Sequence, residues 1–295
     1  MNEARALRIS VYASLLVGAV GIAWGLAVDS RLVLFDGVFT IFGTALSGLS
    51  LLASWAAGLE PDDRYPFGRG SVIPVAILIQ GAALMATLAY AAFDSVSLIL
   101  AGGSDAAPLS VVGYGLLTLL IAIGVVVALP RVAPLSELAA AEAAQWRAGA
   151  ALSGIIAVGA AAAAGADAAG LDRVVAYADP ALVLLAVAVL APVPVRLLRS
   201  GGRELMEAAP PEDVRRAIDR AAESTRAEFD LGMPMVRATK LGRRLYIEVD
   251  FLVDAGEWDV AEEDRVRRSL ISALDPLGLE IWANVELTTD PELAS

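Results

Sequence analysis

Residues 8–57 read RISVYASLLVGAVGIAWGLAVDSRLVLFDGVFTIFGTALSGLSLLASWAA. Two apolar runs, 8–28 and 32–57, are joined by almost nothing, since Val28-Asp29-Ser30-Arg31 makes the whole turn. A helix that crosses a bilayer needs about 20 mostly apolar residues, and each run is long enough. So short a joint predicts a tight antiparallel pair. Arg5 and Arg8 ahead of the first run mimic the charged start of a signal peptide. That run is too long for one and a second span follows at once, so it reads as a retained helix. Four more such runs follow, at 72–101, 109–130, 145–165 and 177–198.

Composition agrees with six spans. Of 295 residues, 57% are hydrophobic and 19% charged, against about 45–50% and about 25% in a soluble domain. Residues 1–200 hold ten Arg, no Lys and thirteen acids, whereas 201–295 hold twelve basic and twenty-one acidic residues. Two such compositions mean two environments, which excludes a soluble single-domain enzyme. No cysteine and no histidine are present. Disulfides, His/Cys zinc sites and imidazole catalysis are therefore excluded. The net charge of −12 argues against a nucleic-acid partner, which needs clustered Lys and Arg. Absent too are a Gly-rich phosphate loop and paired carboxylates within the spans, so an enzyme is not expected.

The arginines set the orientation. If the N-terminus is cytoplasmic, the inner segments carry Arg5, Arg8, Arg64, Arg69, Arg131, Arg147, Arg196, Arg199 and Arg203, and the outer ones only Arg31 and Arg173. That bias predicts a multi-pass protein of the inner membrane with both termini cytoplasmic.

From Gly201 the pattern is that of a soluble domain. Pro210-Pro211-Glu212-Asp213 opens a helix in which Val214, Ala217, Ile218 and Ala221 recur at helical spacing. A strand at 234–240 and a turn at Gly242 lead to a second strand, where Leu245, Ile247, Val249, Phe251 and Val253 alternate with polar positions such as Glu248 and Asp250. A helix over 260–274 follows, with Val266, Leu270, Ala273 and Leu274 inward, and then a strand over 279–287. The expected fold is an all-α transmembrane six-helix bundle (1–200) plus a C-terminal α+β, ferredoxin-like αββαβ domain (201–295), cytoplasmic by the orientation above.

Particular stretches carry a resemblance. Leu34-Phe35-Asp36-Gly37, Ala144-Gln145-Trp146-Arg147, Ala178-Asp179-Pro180 and Ala208-Ala209-Pro210-Pro211 each stand at the start of an element. Most specific is Glu60-Pro61-Asp62-Asp63-Arg64-Tyr65-Pro66-Phe67-Gly68-Arg69-Gly70, in the loop 58–71 between the second and third spans. With six spans and an αββαβ tail, the chain resembles the cation diffusion facilitator family of cation efflux transporters, as a divergent member. In that family the loop carries histidines where this chain has Tyr65 and Arg69.

The resemblance implies a transport site built from two i, i+4 pairs on the second and fifth spans. These fall on Asp36 and Thr40, and on Gln145 and Gly149. One of the four positions keeps a carboxylate, two offer neutral oxygens, and Gly149 offers no side chain. Oxygen-only ligation favours a hard cation of the Mg²⁺ or Mn²⁺ kind over zinc, and since one carboxylate neutralises only half of a divalent charge, a further acid, a low affinity and a monovalent ion stay open. No cofactor is implied, since the cation is cargo. The family further implies a homodimer joined through its tails, alternating access and exchange of metal for protons. Trp258 and Trp282 are candidates for that interface or for the core.

Asp36, one turn into its helix, also reads as an acid meeting the positive end of the helix dipole, and other acids likewise have two readings. Asp94, within the third span beside Ser95, is an additional intramembrane ligand or an acid near the water interface capped by serines. Asp29 and Asp179 read as helix-end residues. Thr40, Thr44, Ser47, Ser50 and Ser54 bond back to their own helix, or line a path inward from Asp36. The run from Asp254 to Asp264 reads as a solvated acidic loop, with metal sensing as the other reading. The competing function is a non-transporting membrane scaffold or regulator that keeps the fold and has lost the site.

Overall fold

The computed structural model describes residues 2–132, 137–256 and 258–292. Packing divides the chain into two units, Met1–Leu49 with Gly81–Val195, and Ser50–Gln80 with Arg196–Ser295. The helices α1 (Asn2–Ala27), α2 (Arg31–Ala57), α3 (Val72–Ala101), α4 (Pro108–Val132), α5 (Glu137–Ala168), α6 (Asp172–Leu190) and α7 (Pro192–Leu205) come first. Among the described residues six segments are long and apolar enough to span a membrane, the sixth being α6 and α7 together.

In the first unit, α1 and α2 lie backbone to backbone. A Cβ added to Gly25 would fall 2.5 Å from the Leu34 nitrogen, and one on Gly18 3.2 Å from the Gly37 carbonyl oxygen. Asp29 takes the left-handed backbone (φ 51°) that the three-residue joint between α1 and α2 requires.

The sixth span departs from expectation. It begins at Asp172 rather than 177, because the alanines before it extend α5 to Ala168 and leave three residues of connection. Pro180 therefore sits inside α6, where it has no N–H to give the Ala176 carbonyl. The Ser104 N–H donates to that carbonyl instead, at 2.7 Å. Gly103 makes this approach possible, since a Cβ there would lie 2.6 Å from the same oxygen.

Asp179 is corrected as well. It is buried well inside α6, not at a helix end. Its carboxylate accepts from the Ser30 hydroxyl and from the N–H groups of Arg31 (2.9 Å) and Leu32 (3.4 Å), while Ser30 Oγ accepts from the Val33 N–H. Two side chains thus cap the first turn of α2, one of them from another helix. Asp179→Ala would leave these donors unpaired in apolar surroundings, a cost of about 2–3 kcal/mol. Thermal unfolding in detergent should show a clear drop, with Asp179→Asn milder because it keeps one acceptor oxygen. An unchanged midpoint for the alanine variant would contradict the capping role.

In the second unit, α8 (Glu212–Phe229), β1 (Met235–Leu241), β2 (Arg244–Leu252), α9 (Val260–Leu274) and β3 (Glu280–Thr288) give the expected αββαβ order. Strand β2 is central, antiparallel to β1 (Val236 opposite Val249) and parallel to β3 (Val249 opposite Val285). Leu245, Ile247, Val249, Phe251 and Val285 pack against Ile218, Val266, Leu270 and Leu274. Ala273, expected inward, is exposed, because the buried stripe of α9 runs 266, 270, 274.

Asp250 breaks the alternation in β2: it is buried, 3.7 Å from the Arg237 guanidinium. Burial first, then the carboxylates of Glu248 and Glu286, push its carboxyl above the ordinary 3.8, and Arg237 pulls the other way. A raised carboxyl stabilises the fold only while protonated. That contribution is full below the unfolded group's pKa and is lost as pH rises through the folded one. Asp250→Asn should therefore slow hydrogen exchange in β2 near neutral pH, with the gain shrinking as pH falls toward about 4. A gain that grows on acidification would refute this.

Candidate functional site

Asp36 stands five residues into α2, and its Oδ2 accepts a hydrogen bond from the Tyr114 hydroxyl of α4 at 2.6 Å. Tyr114 is completely buried. Two glycines make room for the phenol. A Cβ on Gly21 would meet the Tyr114 hydroxyl at 2.6 Å, and Gly37 lies directly behind Gly21. Trp24 packs at a tilt against the Tyr114 ring, centroids 6.4 Å apart. The glycine contact between α1 and α2 thus sets the position of the carboxylate's partner.

Sequence reading missed Tyr114. Its signal was a phenol amid an apolar span, since a buried tyrosine hydroxyl needs a partner. The family pattern drew attention to α5 instead. Gln145 belongs to α5, but its side chain lies outside the described residues. Gly149 is exposed, with nothing within 4 Å of where a Cβ would be. Thr40 follows Asp36 by one turn, and its carbonyl accepts from Thr44 Oγ1 at 2.9 Å. Ser47 likewise bonds back to Gly43 O at 3.0 Å, whereas Ser50 accepts from Gln80 at 2.7 Å. Helix back-bonding accounts for two of that polar set.

Asp94 is paired with Arg31, Oδ2 to Nε 3.4 Å. Among the described residues no three carboxylates meet to hold a metal ion. The chemistry available at Asp36 is therefore one carboxylate, one phenol and a neighbouring threonine, a set of oxygens suited to a hard cation that keeps bound water.

In the second unit, the loop 58–71 is ordered by its own side chains. Asp62 accepts from the N–H groups of Arg64 (3.0 Å) and Tyr65 (2.9 Å) and from Arg69, whose guanidinium lies 4.5 Å over the Tyr65 ring. Desolvation pushes the Asp62 carboxyl up, but these donors and the Arg69 charge outweigh it and hold it below its ordinary value. Arg244 of β2 donates to the Phe67 carbonyl, and the Phe67 ring meets Trp282 edge-on at 5.7 Å. Trp282 remains 47% exposed beside Phe67, and Trp258 packs against the core. The acidic run is largely structural. Asp259 and Glu262 form the capping box of α9, and Glu262, Glu263 and Asp264 pair with Arg265 and Arg267. Glu257 lies outside the described residues.

A family model described as the cation efflux transmembrane domain matches residues 7–206. No curated protein matches the chain.

Proposed function

We propose, from the premise that this chain belongs to the cation efflux family, that it exports a hard divalent cation of the Mg²⁺ or Mn²⁺ class by alternating access. The family domain and the six spans make it a multi-pass membrane protein with the transmembrane domain of a cation transporter. The finer reading rests on one observation: a carboxylate within a spanning helix, Asp36, held by the buried hydroxyl of Tyr114. An ionisable residue within a spanning helix is a functional-site candidate by default.

In this reading Asp36 anchors the ion, and Thr40 and Gln145 supply neutral oxygens. With no histidine in the chain, Asp36 is also the proton acceptor if metal is exchanged for protons. The arginine bias supports cytoplasmic termini, and an inner-membrane location belongs to the same reading. A homodimer joined through the tails belongs to the same reading, with exposed Trp282 and its neighbour Tyr246 as contact area.

The test is a flux screen on the purified chain in sealed vesicles loaded with metal-sensitive dye. Mn²⁺ or Mg²⁺ should pass faster than Zn²⁺. Faster zinc flux would refute the hard-ion assignment. No flux of any cation would overturn the transporter reading in favour of a scaffold or regulator.

A further inference from the structure

The helix α2 has two working stripes. Asp36 and Thr40 lie on one, while Arg31, Leu34, Phe35 and Val38 recur at spacings of three and four on the other. The second stripe borders a cavity of about 100 Å³ whose polar lining is Arg31, Thr87, Tyr90, Asp94 and Ser95. A water's share of liquid volume is about 30 Å³, so the space suits a few waters or an ion with part of its hydration shell.

Two features of this lining call for an occupant. Ser95 is completely buried, and its hydroxyl has no partner among the described residues. A hydroxyl left so is costly in apolar surroundings. Among the described residues Asp94, next in the chain, has only the Arg31 guanidinium at 3.4 Å, an ion pair longer than an N–H···O bond. Both side chains of that pair are more than a third exposed, 39% and 35%. The arginine has a long flexible stem, so its guanidinium can swing away from Asp94 without moving the helix.

We propose that this cavity is a second cation site, separate from Asp36, in which Arg31 stands in for the ion when the site is empty. A partly hydrated hard cation takes Asp94 as its carboxylate, with Ser95, Thr87 and Tyr90 as hydroxyl ligands or as partners of its waters. Thr87 Oγ1 donates to the Ala83 carbonyl at 2.9 Å, so its lone pairs remain available. Ions of the Mg²⁺ kind bind in this way, through one or two carboxylates and several waters. The lining offers neither nitrogen nor sulfur ligands for a softer metal, and an anion would face the Asp94 carboxylate.

The claim makes opposite predictions for the two halves of one ion pair. Mn²⁺ binding to the purified full-length protein in detergent, followed by electron paramagnetic resonance, reads it directly. In an Asp36→Asn background one weakly held Mn²⁺ should remain. Adding Asp94→Asn should weaken it about tenfold or more, and Ser95→Ala about threefold. Adding Arg31→Gln should instead tighten it about tenfold, because the tethered competitor is gone. A merely structural pair gives no gain in affinity from losing either partner. The proposal is overturned if Arg31→Gln leaves binding unchanged or weaker, if Asp94→Asn has no effect, or if Asp36→Asn alone binds no Mn²⁺. Failure of the Asp36 reading looks different: the native chain and Asp36→Asn would then bind equal numbers of Mn²⁺.

Discussion

Cation flux through Asp36→Asn is expected to fall about a hundredfold or more, with the protein still folded. Asn keeps the shape of the side chain and can still accept from Tyr114, so the 2.6 Å contact that locates it is preserved. What is lost is the charge. Asp36 is the one carboxylate among the four family positions, and it neutralises half of a divalent ion within the span. Removing the charged partner of a buried ion costs about 3–5 kcal/mol, which corresponds to a hundredfold or more in occupancy. Tyr114→Phe serves as the comparison. It keeps the carboxylate and removes only a donor, so a smaller loss of about tenfold is expected. Vesicle flux of Mn²⁺ measures both. Equal flux in Asp36→Asn and the native chain would remove Asp36 from the mechanism.

The parts legible in sequence were those set by local pattern. Six apolar runs became six span-length helices because length and apolarity together decide whether a helix can cross a bilayer, and the alternation in β2 located the tail's core face. What escaped was every interaction between side chains far apart in the chain. Tyr114 and Asp36 are 78 positions apart, Ser30 and Asp179 149. Periodicity says which face a residue occupies, not what stands opposite. Asp179 looked like a helix end because the sixth apolar run starts at 177 in the sequence, two residues before it. In the fold the Ala176 carbonyl that Pro180 leaves unpaired receives the Ser104 N–H, so the helix continues. The family pattern pointed from Asp36 to α5 and carried no sign of the α4 phenol that bonds to it.

Gly37→Leu is expected to prevent α1 and α2 from pairing at all. Even a Cβ on Gly37 would lie 2.5 Å from the Ile22 nitrogen, 2.7 Å from the Gly21 carbonyl carbon and 2.9 Å from the Gly18 oxygen. All three are backbone atoms of α1, so no rotamer change relieves the clash and the helices must separate. Overpacking usually costs about 1–3 kcal/mol where side chains can yield. Here they cannot, and between lipid-facing helices close contact is itself the main source of association. Separation also undoes the site, because Gly21 and Gly37 frame the Tyr114 hydroxyl that holds Asp36. Gly43→Leu is the matched control, as the same helix has nothing within 4 Å of a Cβ at that position. Size-exclusion profiles and thermal unfolding in detergent should show Gly37→Leu aggregated or melted while Gly43→Leu matches the native chain. Were both variants equally well folded, the backbone contact between α1 and α2 could not be what positions the carboxylate.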